Sequence, residues 1–206
     1  MLNCLCFGDS ITYGEYDGFF GGWVDILKRH FHREKNINDI KEVNVFNLGK
    51  GGETTAGLIK RVKIESEARK ADEENIIFFG YGANDLAQIN GVATVSTTDF
   101  EKNLSHAVDI AKEITPNVYL LNILPISFRI DKVTSTNGKV RSNEHVKRYN
   151  ESVSQVAKQN AIEYVDLYSL FDGNTESLLS LDGLHPNGMG YNKISESIKP
   201  IIKRLL

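Results

Sequence analysis

Leu2-Asn3-Cys4-Leu5-Cys6-Phe7-Gly8-Asp9-Ser10 begins as an almost unbroken apolar run and stops abruptly in Gly-Asp-Ser. Comparable short runs recur at residues 43–48, 76–80, 118–123 and 164–167. None shows the apolar–polar alternation of a half-solvated strand. Continuous apolarity over such a length fits a strand covered on both faces, the situation of strands in a parallel sheet.

Between these runs the period changes to that of helices. Trp23, Ile26, Leu27, His30 and Phe31 form one apolar stripe. Thr98 and Glu101 make a capping box ahead of Phe100, Leu104, Ala107, Val108 and Ala111, in a helix that must end before Pro116. A last helix is expected over about 189–205, with Ile194, Ile198, Ile201 and Ile202 on one side. Strands alternating with helices, over gaps long enough for crossovers, predict an α/β fold: a parallel sheet with helices on both faces. No repeat or linker divides the chain, so residues 1–206 are expected to form one domain. The least regular stretch is 125–141. Within it, 133–140 reads as a small hairpin turning at Asn137-Gly138, either a wall over a pocket or a plain surface loop.

Composition narrows the function classes. With 206 residues and 41% hydrophobic content the chain can bury a substantial core. A net charge of −3 and the lack of a long basic run exclude a phosphate-tracking nucleic-acid binder. No segment is apolar enough to span a bilayer. The N-terminus has neither a basic n-region nor an apolar h-region, so the expected location is cytoplasmic. Cys4 and Cys6 are two apart on one strand and share a face, which suits small buried apolar groups and not a disulfide. No Cys/His pair at ligand spacing accompanies them to hold a metal.

Ligands of open parallel sheets bind beyond the carboxyl ends of the strands. Each polar motif of this chain falls just there: Gly8-Asp9-Ser10 after the first strand, Gly49-Lys50-Gly51-Gly52 after the second, Tyr81-Gly82-Ala83-Asn84-Asp85 after the third, and Asp182-Gly183-Leu184-His185 beyond the fifth. A serine hydroxyl becomes a nucleophile when a base takes its proton, and that base needs an acceptor to fix its tautomer. Ser10, His185 and Asp182 supply the three roles, and Pro186 keeps His185 out of a helix. An oxyanion would find donors in the Ser10 N–H, the Gly52 N–H and the Asn84 amide. Asp9 and Asp85 read as structural. His30, His32, His106 and His145 have no acidic partner at useful spacing and read as ordinary structural or solvated histidines. The glycine loop lacks the Walker ending and the dinucleotide fingerprint, and no G-x-S-x-G elbow is present. Asn-x-Ser sequons at Asn103 and Asn150 read as chance matches.

Taken together, Gly8-Asp9-Ser10, Asn47 through Thr55, Gly82-Ala83-Asn84-Asp85 and Asp182-Gly183-Leu184-His185-Pro186 resemble the four motif blocks of the SGNH hydrolases, the GDSL esterases and lipases. Ile11 stands where the family name has leucine. The resemblance implies a flavodoxin-like three-layer α/β/α fold with a five-stranded parallel sheet in the order 2-1-3-4-5. It implies catalysis by Ser10, Asp182 and His185, an oxyanion hole of Ser10, Gly52 and Asn84, an acyl-enzyme, and neither metal nor organic cofactor. The expected partner is a small-molecule, glycan or lipid ester, with small or exposed acyl groups such as acetyl favoured. Lysophospholipase, thioesterase or acyltransferase chemistry would use the same triad, and a non-catalytic carbohydrate- or lipid-binding module would keep only the fold. Phe19, Phe20 and Tyr81 are candidates to line an acyl groove.

Overall fold

A computed structural model describes all residues 1–206. Its strands are β1 (Leu2–Gly8), β2 (Val43–Gly49), β3 (Glu74–Gly80), β4 (Gln88–Ile89), β5 (Val92–Ala93), β6 (Val118–Leu121) and β7 (Glu163–Val165). Its helices are α1 (Ser10–Tyr13), α2 (Gly22–Asn38), α3 (Thr55–Leu58), α4 (Val62–Glu67), α5 (Thr97–Lys112), α6 (Asn143–Gln159), α7 (Tyr168–Phe171), α8 (Thr175–Leu178) and α9 (Gly188–Lys203).

Five strands make one sheet, all parallel, in the order β2-β1-β3-β6-β7. Leaving aside the small β4–β5 hairpin, this is the 2-1-3-4-5 order that the family resemblance implies. The pleat divides the core into two layers. Leu5, Phe7, Ile77 and Phe79 point to the face covered by α5 and α6, where Phe100, Leu104, Tyr149 and Val153 meet them. Cys4, Cys6, Ile76 and Phe78 point to the other, against Trp23, Leu27 and Phe31 of α2 and Ile194 and Ile198 of α9. Every residue of β1 is buried, which is why that strand shows no alternation. Cys4 and Cys6 are buried free thiols with their sulfurs 3.6 Å apart. No helix is long and apolar enough to cross a membrane.

Several expected boundaries shift, each for a local reason. Helix α5 is capped by Ser96, whose Oγ accepts from the Asp99 N–H and donates to the Asp99 carboxylate. Thr98 and Glu101 are therefore not its capping box, and Glu101 accepts instead from Ser152 on α6. The fourth sheet strand ends at Leu121 because the Asn150 side chain takes over the backbone of Ile123, accepting from its N–H at 2.7 Å and donating to its carbonyl at 2.9 Å. The fifth is only three residues long and lies at the sheet edge with Tyr164 exposed, so it is not covered on both faces. Residues 133–140 form a turn closed by one Thr134–Val140 bridge and by Ser135–Lys139 bonding, short of a two-stranded hairpin. A second Asn-Gly pair, Asn90-Gly91, has positive φ at both residues and turns the β4–β5 hairpin, as a type I′ turn requires.

The register brings the site together. Gly8 pairs with Gly49 on one side and Gly80 on the other, so three strands end in glycine at one level. A Cβ on Gly8 would overlap the Thr12 hydroxyl, and one on Gly49 would overlap the backbone of Tyr13. Helix α1 thus lies directly across the strand ends, with Ser10 at its first position.

Candidate active site

Asp9, and not Ser10, caps α1: its carboxylate accepts from the Ile11 N–H at 2.9 Å. The Ser10 hydroxyl is left free to bond elsewhere, and it donates to His185 Nε2 at 2.8 Å across 175 residues of chain. His185 Nδ1 faces Asp182 Oδ2 at 2.5 Å, and Asp182 Oδ1 accepts the backbone N–H groups of Leu184 and His185 at 3.0 and 3.1 Å. Partial burial alone would raise the Asp182 carboxyl, but the His185 ring and these two N–H donors outweigh it and hold the group below its ordinary range. The turn is itself braced, since Ser180 N–H donates to the His185 carbonyl and Leu179 bridges to Pro186. Asn187 then caps α9 by accepting from Met189 and Gly190 N–H.

The expected anion donors flank the same cleft. Helix α1 starts at Ser10, so the Ser10 N–H has no acceptor inside the helix. Gly52 sits in the Lys50–Glu53 turn at φ +73°, a conformation that favours glycine. Its N–H donates to no protein acceptor. Asn84 is buried, donates from Nδ2 to the Glu53 carbonyl at 3.2 Å, and accepts at Oδ1 from Arg141 at 3.2 Å. Ser10, Gly52, Asn84, Asp182 and His185 all line one open cleft of about 590 Å³.

Behind that cleft lies a layer of polar groups that sequence reasoning missed. The Glu53 carboxylate is buried, receives two nitrogens of Arg61 and accepts from the Tyr81 hydroxyl at 2.8 Å. Arg61 also donates to the Leu48 carbonyl at 2.7 Å, tying the end of β2 to the same cluster. Tyr81 is therefore a buried strut and not part of an acyl groove; burial raises its hydroxyl pKa. Phe19 and Phe20 also lie outside the lining, being largely exposed on the loop before α2. Asp85 accepts from the Thr55 N–H at 2.9 Å and the Thr55 hydroxyl at 2.5 Å, linking the third motif to the second rather than closing its own turn. Burial pushes both Asp9 and Asp85 up to about 6 against the donors that oppose it.

Tyr16 and Arg141 complete the walls. The Tyr16 ring stands edge-on to the His185 ring, 5.1 Å between centroids, on a backbone at φ +63°. That conformation costs energy for an aromatic residue and occurs at the functional cleft. The only sequence signal for Arg141 was its position at the end of the irregular 125–141 stretch. The remaining wall comes from 133–139, with Ser135, Thr136, Asn137 and Lys139 facing the cleft; apolar lining is confined to a few side chains such as Ile130, Val133 and Leu184.

Residues 6–193 match the family model described as GDSL-like lipase/acylhydrolase. A spore germination lipase from Bacillus licheniformis is 25% identical over 96% of this chain and 95% of its own. The crystal structure of a lipase/acylhydrolase from Enterococcus faecalis superposes with a TM-score of 0.81 at 25% identity, covering 100% of this chain and 97% of that one. An acetylxylan esterase from Geobacillus stearothermophilus has the same fold, with a TM-score of 0.73 at 21% identity over 97% of this chain and 93% of its own.

Proposed function

The chain belongs to the GDSL-like lipase/acylhydrolase family, and from that premise we propose that it hydrolyses carboxylic esters through an acyl-enzyme on Ser10. The observation that carries the reading is the hydrogen-bonded series from Ser10 Oγ through His185 to Asp182. Ser10 attacks the acyl carbon as its proton passes to His185 Nε2, while Asp182 holds the ring in the tautomer that can accept it. The oxyanion is stabilised by the N–H groups of Ser10 and Gly52 and the amide of Asn84. Collapse breaks the ester bond, and the departing alcohol takes the proton from His185. Water then attacks the acyl-enzyme, gives its proton to His185 and releases the acid, and Ser10 recovers its hydrogen.

The lining supports one substrate class over the others. An open cleft walled by hydroxyls, amides and charged groups suits a small acyl group, such as acetyl, on a polar alcohol such as a sugar. One feature favours a second reading, an ester with a longer apolar tail: Leu181, next to Asp182 in the chain, is 93% exposed, and Met189, four residues after His185, is also exposed. Initial rates on p-nitrophenyl esters from acetate to palmitate, with Ser10→Ala in parallel, test both. Ser10-dependent cleavage confined to the shortest chains is expected. A maximum at long chains would support the apolar-tail reading, and turnover that survives Ser10→Ala would overturn the mechanism.

A further inference from the structure

Arg141 holds the candidate oxyanion amide from behind. Its Nε donates to the Ala83 carbonyl at 2.8 Å and its Nη2 to Asn84 Oδ1 at 3.2 Å, so one edge of the guanidinium grips two successive residues. No carboxylate lies within ion-pair distance of it; Asp9 and Asp182 act on its charge from farther away. Arg141 is half-buried at the cleft wall with both of these contacts made to neutral acceptors, so what it fixes is the backbone and amide of residues 83 and 84 and not an ion pair.

The two ends of a side-chain amide are nearly the same in shape and opposite in hydrogen bonding. A guanidinium only donates, so the group facing Arg141 must be Oδ1. A carbonyl only accepts, so the group facing Glu53 must be Nδ2. Both partners demand the same orientation. In that orientation Nδ2 spends one hydrogen on Glu53 and keeps the second, while a charged donor on Oδ1 polarises the amide and makes that second hydrogen a stronger donor.

We infer that Arg141 is a positioning residue for the ester-hydrolysis reaction: it fixes and polarises the Asn84 amide as an oxyanion donor. The inference rests on the proposed role of Asn84. Arg141 is itself fixed by the chain around it, since its carbonyl accepts from Lys132 N–H at 2.8 Å and Val140 beside it exchanges two backbone bonds with Gln88. The 133–140 turn and the β4–β5 hairpin therefore both bear on the same amide.

A double-mutant cycle tests this. Wild type, Arg141→Met, Asn84→Ala and the double variant are compared on p-nitrophenyl acetate, with folding checked by thermal melts. Arg141→Met is expected to lower kcat about ten- to hundredfold, the order seen when an outer partner that orients a reacting group is removed, with KM little changed. In the Asn84→Ala background the same change should cost nothing further. Arg141→Lys keeps the charge but not the two-pronged edge, and should recover only part of kcat. Equal losses in both backgrounds, a change confined to KM, or full activity in folded Arg141→Met would each overturn the inference. Undiminished activity in Asn84→Ala would overturn it too, while loss of activity in Ser10→Ala would leave the hydrolase reading standing. If Arg141→Met does not fold, Arg141→Lys in the two backgrounds decides by the same criterion.

Discussion

The two sides of the cleft around Ser10 are built in contrasting ways. On one, the side chains of Glu53, Thr55, Asn84 and Asp85 are buried and bonded inward: Glu53 to Arg61 and Tyr81, Asp85 to Thr55, Asn84 to the Glu53 carbonyl and Arg141. On the other, the 133–139 turn stands almost wholly in water and the 180–187 loop is half-buried with Leu181 and Asp182 exposed, and both keep their shape mainly through short-range turns. Oxyanion donors are effective only when fixed before the reaction begins, and the Asn84 amide, a candidate donor, is buried on this wall and held by the Glu53 carbonyl and Arg141. A base must exchange protons with solvent, and a substrate must enter. The contrast assigns rigidity to one wall and exchange to the other.

The largest effect should come from the exposed side. Asp182→Asn removes the acceptor that selects the His185 tautomer but leaves a similar shape, so the fold should persist. We expect kcat to fall by roughly 10⁴, with the melting temperature nearly unchanged. Survival of most of the activity would mean that the exposed loop is not where the base is held.

On the buried wall the first effect should be on stability. Arg61→Met leaves the Glu53 carboxylate, whose side chain is 3% exposed, with the neutral Tyr81 hydroxyl and, as its one cation, the solvent-exposed Lys50 at 3.5 Å. Breaking one partner of a buried pair costs about 3–5 kcal/mol, and replacing both by apolar groups is far less harmful. Urea denaturation of Arg61→Met and of Arg61→Met with Glu53→Leu should show that large loss and its substantial recovery. Equal losses in the two variants would show that the wall depends on packing and not on pairing.

Asp85 gives a pH signature of the same wall. Its folded pKa of about 6 lies above the ordinary 3.8, so between these values the folded state holds the extra proton. Stability from this group is complete below the lower value and is lost as pH rises through about 6. The span of about two units corresponds to about 3 kcal/mol. Asp9 is raised to the same value and acts in the same direction. Asp85→Asn should therefore remove part of the fall in unfolding free energy between pH 4 and pH 6 and leave the Asp9 part. An unchanged slope would mean that Asp85 keeps its charge when buried.

What could be read from the sequence follows this division. The parallel sheet was legible because burial on both faces leaves a continuous apolar run in its central strands, while its strand order came only from the family resemblance. That Ser10, Asp182 and His185 would meet in one hydrogen-bonded series was legible because each sits in a short motif at the carboxyl edge of the sheet. Arg141 and Arg61 were not, because their roles are set by side chains reaching across the fold: 57 residues separate Arg141 from Asn84. Tyr81 was misplaced for a related reason, since an aromatic residue beside a site can equally be a strut whose hydroxyl is already bonded. The cap of α5 was missed by two positions, Ser96 for Thr98, because several adjacent residues can accept from a helix start and only tertiary packing chooses among them.

The smallest effect on stability belongs to the turn at 133–140, and it separates folding from substrate choice. Residues 133–138 are exposed, and the turn is closed mainly by Ser135–Lys139 bonding and one bridge. Replacing 135–138 with two glycines should change unfolding free energy by no more than about 0.5 kcal/mol. The same residues supply hydroxyl and amide groups to the cleft wall. With p-nitrophenyl acetate, whose small alcohol barely reaches that wall, kcat/KM should change little. With an acetylated oligosaccharide KM should rise, because the lost polar groups have no counterpart in the glycine turn. A change of equal size on both substrates would mean that shortening the turn had moved Arg141, and through it the Asn84 amide, so the buried wall would depend on the exposed one after all.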